Sequence, residues 1–143
     1  MRADLTLLET TRAAAADLEE RLHEEGGHVV VHVRGRRMTT LDGVFDEFAA
    51  ALQFPYYFGA NKDAFDECLS EVREADDPPS VLVFDAHELL TGEPDQLAWF
   101  VTVLGQIPLR VILQVPAQHS AALVERFAVA GHGDLGRSAE PGA

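Results

Sequence analysis

A chain of 143 residues, 47% of them hydrophobic, has the size and composition of one globular domain with a single sizeable core. Its 24 acidic residues against 11 basic ones give a formal charge of -13, which disfavours nucleic acid and anionic membrane as partners and favours a basic protein through long-range attraction. One cysteine, Cys68, excludes an internal disulfide and fits a reducing compartment. No run approaches the roughly 18 apolar residues of a membrane helix, and the acidic amino-terminal stretch lacks a signal-type apolar core, so a cytoplasmic location is expected.

In chain order, residues 3–25 read as an amphipathic helix, with Leu5, Leu8, Ala15, Leu18 and Leu22 near helical spacing and Gly26-Gly27 as its stop. HVVVHV, from His28 to Val33, is a β-branched run and predicts a strand. Asp42 would cap a helix over 44–52 whose apolar stripe is Phe45, Phe48, Ala49 and Leu52. Pro55 and Gly59 punctuate a loop, and a helix over 61–73 follows, stopped by Asp76-Asp77-Pro78-Pro79. Ser80 to Phe84 (SVLVF) and Leu109 to Val115 (LRVILQV) have the composition of buried strands, while Pro94 and Pro116 each open a helix. Strands alternating with helices predict an α/β fold: a small three-stranded parallel sheet packed with helices, plus additional helices at the amino and carboxyl ends. One domain over residues 1–130 and a disordered tail over 131–143 are expected; no oligomeric state can be read.

Function concentrates in FPYYFGANKDAFDECL, residues 54–69. Tyr56, Tyr57 and Phe58 crowd one loop, and aromatic rings with a polar tip favour interfaces. The helix after them carries Asp63, Asp66, Glu67, Glu71 and Glu74, with Asp63, Glu67 and Glu71 four apart on one face. Like charges at that spacing cost an isolated helix about 0.2–0.5 kcal/mol per pair, which a fold tolerates, so a solvated face remains the bland reading. The helix dipole keeps the carboxylates nearest its start ionised, which favours a grip on a cation. A catalytic carboxylate pair would need one member raised in pKa by burial, and no apolar neighbour offers that.

Other constellations carry less. His28 and His32 share a strand face without a third metal ligand, and Cys68 lies on an apolar helix face without a neighbouring histidine. No metal or other cofactor is expected, and no glycine-rich phosphate loop occurs. Trp99 reads as core, and Arg34, Arg36 and Arg37 as cations that pair with nearby acids.

The segment 54–69 resembles the signature of the barstar family, cytoplasmic inhibitors of barnase-type ribonucleases. Pro55, Tyr57, Gly59, Asn61, Asp63, Cys68 and Leu69 stand at matching offsets, and the element order agrees from about Val29 to Val115. The resemblance implies a non-enzymatic protein whose loop and helix plug a ribonuclease active site, with Asp63 and Glu67 replacing RNA phosphate and Tyr57 packing on the catalytic histidine. Gly59 and Asn61 would shape the loop and helix start, and Phe58, Lys62, Asp66 and Glu71 complete the expected partner-binding set. The implied partner is a basic, extracellular-type ribonuclease or related toxin. A non-inhibitory regulatory module of the same fold, binding a non-nuclease protein, is the alternative, favoured by Lys62, Asp66 and Thr102.

Overall fold

The computed structural model describes residues 4–25, 29–73, 77–106, 109–133 and 135–138. Gly26, Gly27, His28, Glu74 and Asp76, named above, lie outside them. Among these residues, five strands and five α-helices follow one another as β1 (Asp4–Glu9), α1 (Arg12–Glu25), β2 (Val30–Arg34), α2 (Leu41–Leu52), α3 (Lys62–Arg73), β3 (Ser80–Phe84), α4 (Leu97–Leu104), β4 (Arg110–Val115), α5 (Ala117–Val129) and β5 (Gly136–Ser138). The strands form one sheet in the order β2-β3-β4-β1-β5, and every pairing is parallel. Among the described residues no helix is long and apolar enough to cross a membrane.

The parallel α/β expectation holds, but the sheet has four strands of five or six residues plus the three-residue β5, where three were expected. The difference lies at the amino end. Residues 3–25 were expected to be one helix; instead DLTLLE is β1, inserted between β4 and β5, and the helix begins only at Arg12. Leu5 and Leu7 face one side of the sheet and Leu8 the other, all at 4% exposure or less. Each such burial contributes about 1.5–3 kcal/mol, against helix propensities that differ by less than about 1 kcal/mol per residue. Thr11 then starts α1: its Oγ1 accepts the Ala14 N–H at 3.1 Å and its carbonyl the Ala15 N–H at 3.1 Å. Within the tail expected to be disordered, Gly136–Ser138 pair with Thr6–Leu8 of β1.

Two apolar layers sandwich the sheet. Helix α1 covers one face, with Ala15 and Leu18 on Leu8, Val30, Leu82 and Ile112. Helices α2 to α5 cover the other, where Phe48, Phe65, Phe100 and Phe127 pack over Val33, Val81, Val83, Val111 and Leu113. The expected α2 cap differs too. The helix starts before Asp42, and the Leu41 N–H donates to Glu93 Oε1 at 2.7 Å across the chain.

At the carboxyl ends of the strands, Gln114 is fully buried and joins three of them. Its Oε1 accepts the Asp85 N–H at 2.8 Å, and its Nε2 donates to the Thr10 carbonyl at 2.7 Å. A further contact fixes the end of β2: a Cβ on Gly35 would stand 2.2 Å from the Asp85 carbonyl oxygen, so only glycine allows that approach.

Gln114→Leu keeps the volume but strands a buried donor and a buried acceptor; urea denaturation is expected to show a loss of about 2–4 kcal/mol. His87 and His119 supply a pH dependence. Their rings stack at 4.1 Å, and burial first, then His119, hold the His87 pKa below its ordinary 6.5, against an opposing pull from Asp85 and Glu88. A histidine depressed in the fold contributes stability that is complete above pH 6.5 and lost as pH falls through the folded pKa. The melting temperature should therefore fall on acidification below that value, and His87→Phe should flatten this part of the profile.

Candidate functional site

The corner between α2 and α3 is built by local backbone constraints. Gln53 leaves α2 in the left-handed region at φ 54°, and the Phe54 N–H returns to the Ala49 carbonyl at 2.9 Å. The Phe58 N–H then donates to the Pro55 carbonyl at 2.9 Å, closing a turn with Tyr56 and Tyr57 at its two central positions. Tyr56 is 100% and Tyr57 70% exposed, and their rings meet edge to face at 5.7 Å. Phe58, also in the expected partner-binding set, is half-buried against Phe54 at 5.1 Å and Phe45 at 6.2 Å, so it anchors the loop from beneath.

Asn61 does not lie within the helix but caps it, accepting the Ala64 N–H on Oδ1 at 2.9 Å while its Nδ2 reaches the Gly59 carbonyl at 3.4 Å. A Cβ on Gly59 would stand 3.1 Å from that Nδ2, so the loop and cap close tightly on each other. Ala60 between them takes φ 50°, a conformation that disfavours side chains and stores strain of about 1–2 kcal/mol.

Helix α3 turns Phe65, Cys68 and Leu69 into the core. Asp63, Asp66, Glu67 and Glu71 are exposed, and among the described residues none of the four forms an ion pair. Asp63 sits in the first turn, where the helix dipole favours its charge. Lys62, in the same turn, places its ammonium 5.0 Å from the centre of the Trp99 ring. Trp99, read from sequence as core, is half-buried and offers α3 a cation-binding face. Thr102 is exposed but bonds back to the Ala98 carbonyl at 2.8 Å.

Burial raises the Cys68 pKa, with Glu71 and Glu67 adding to the effect, so the thiol stays protonated. Among the described residues no three His, Cys, Asp or Glu side chains are placed to hold a metal. The other candidates are engaged: His32 Nδ1 donates to Glu19 at 2.8 Å, and Arg34 is held by both oxygens of Glu47 at 3.1 and 2.8 Å. The bond to Arg34 is also the main cause of the lowered Glu47 pKa.

Among solved structures, one chain of Drosophila ORC bound to AT-rich DNA and Cdc6 superimposes with a TM-score of 0.55 at 11% identity, over 95% of this chain and 48% of its own length. Cdc6p from Pyrobaculum aerophilum gives 0.53 at 21% identity, over 93% of this chain and 38% of its own. At these identities the likeness is one of fold, and this chain spans about half or less of those proteins. Comparison with curated protein sequences gives no match. The family model described as Barstar (barnase inhibitor) matches residues 28–114, from the start of the first expected strand to Gln114 in β4, with the loop and α3 inside it. That stretch is more than half of the 143 residues, and the chain belongs to the barstar family.

Proposed function

We propose that this protein binds a basic ribonuclease and blocks its active site with the α3 carboxylates standing in for RNA phosphate. The observation that carries the reading is the exposed row Asp63, Asp66, Glu67 and Glu71, without an ion pair among the described residues, together with two exposed tyrosines, in the segment within the family match. Carboxylates without an internal cation keep their charge for a partner. Asp63 and Glu67, one turn apart, are the two we assign to the phosphate-binding arginines, lysines or histidines of the enzyme. Tyr57 supplies a flat apolar wall beside them, and Gly59 and Asn61 hold the helix start in place.

Lys62 is a cation at the start of the same helix, and its position over Trp99 draws the ammonium onto the protein's own ring, so it ties α3 to α4. The -13 charge would steer the encounter, and binding should weaken as salt screens it. The protein's role in this reading is protection of the cell that makes the enzyme, with no chemistry of its own.

Titration of the purified chain into a barnase-type ribonuclease assay tests the proposal. Asp63→Ala and Glu67→Ala should each weaken inhibition by about tenfold to a hundredfold, the range for losing a charge-assisted hydrogen bond, while His32→Ala leaves it unchanged. No inhibition by the parent protein, or equal losses in all three variants, would instead favour a non-nuclease partner.

A further inference from the structure

On the α1 side of the sheet, away from α3, the first turn of α1 and the carboxyl ends of β2 and β3 border an open cavity of about 340 Å³. Arg12, Arg34, Arg36, His32, Phe84 and Asp85 line it. Three of the chain's 11 lysines and arginines thus meet at one cavity, in a protein with 24 acids. Their charge is only partly neutralised. Asp85 Oδ2 lies 3.4 Å from Arg12 Nε, and Glu47 holds Arg34 through Nε and one terminal nitrogen. The terminal nitrogens of Arg12 and one of Arg34 are left over, and Arg36, exposed, forms no ion pair among the described residues. Glu19 is occupied by the His32 ring at 2.8 Å. Of the three guanidiniums, Arg36 carries no carboxylate among the described residues, and Arg12 meets one only through Nε.

The cations are also held in place. The close approach of Gly35 to Asp85 clamps the turn that carries Arg34 and Arg36 to the end of β3. Arg12 opens α1, whose amino-terminal dipole adds to the positive field. Guanidinium forks fit phosphate oxygens in pairs. Phe84, half-buried with His32 edge-on at 5.5 Å, gives the cavity a flat apolar wall for an organic group. The volume falls in the range of small-molecule sites, about 300–1,000 Å³.

We infer that this cavity binds a small phosphate ester, with Arg12 and Arg36 taking the phosphate and Phe84 facing the organic part. The site is independent of the α3 face and stands whether or not a ribonuclease is the partner.

The test is an NMR titration of the full ¹⁵N-labelled chain with inorganic phosphate, AMP and adenosine at constant ionic strength, with sodium chloride as the control. Saturable shifts at Arg12, Ala13, Arg36 and Phe84 are expected with phosphate and AMP and not with adenosine. Arg12→Gln and Arg36→Gln should each weaken AMP binding by about tenfold with unchanged circular dichroism, while Lys62→Gln leaves it as it was. Shifts that only follow chloride, that map elsewhere, that are equal for adenosine, or that persist unweakened in both arginine variants would overturn the proposal.

Discussion

Five aromatic rings converge on Phe65: Phe45 at 5.4 Å, Phe48 at 5.6 Å, Trp99 at 5.9 Å, Phe54 at 6.0 Å and Phe100 at 6.4 Å. They come from α2, the signature loop and α4, so one buried side chain ties the inner face of α3 to every neighbour that positions it. Aromatic pairs of this kind contribute about 0.5–1.5 kcal/mol each beyond their burial. Among the described residues the carboxylates on the outer face of α3 form no ion pair, so their placement depends on this cluster. A binding surface ordered before it meets its partner avoids much of the entropy cost of association.

The two faces of the sheet carry different groups. On the α3 side Asp63, Asp66, Glu67 and Glu71 are exposed and, among the described residues, form no ion pair; on the α1 side Arg12, Arg34 and Arg36 meet at the ends of β2 and β3. Gln114 lies between them. At the carboxyl ends of β1 and β4, where open parallel sheets leave a crevice for ligands, its amide spans the gap and is hydrogen-bonded on both sides. The space that remains lies one strand further out, beside β2 and β3, where the arginines are.

The helices α2, α3 and α5 and the strands β2, β3 and β4 were legible because their apolar residues keep one period throughout. In β1 the buried leucines serve both faces, and Leu5 and Leu8, three apart, imitate a helix that the alanine run after them then extends. The exposed carboxylates and tyrosines were legible from composition and spacing. The inward turn of Phe58 was not, since only the packing of Phe45 and Phe54 distinguishes it from Tyr57. Nor was the Lys62–Trp99 contact, which joins two helices with a strand between them in sequence. The role of Gln114 was equally hidden: a single polar residue in an apolar run says nothing of which backbone groups it will meet.

The position of β1 has a further consequence for how the chain assembles. Asp4 lies opposite Arg110, so β1 pairs with a strand 106 residues further along the chain. Until that loop closes the leucines of β1 have no sheet to join, and the cost of closing it precedes any gain from the contact. The β2-β3-β4 unit, by contrast, pairs neighbours in sequence and can order first. Folding would then proceed outward from β2-β3-β4, with β1 docking on the finished edge of β4 and β5 closing over it.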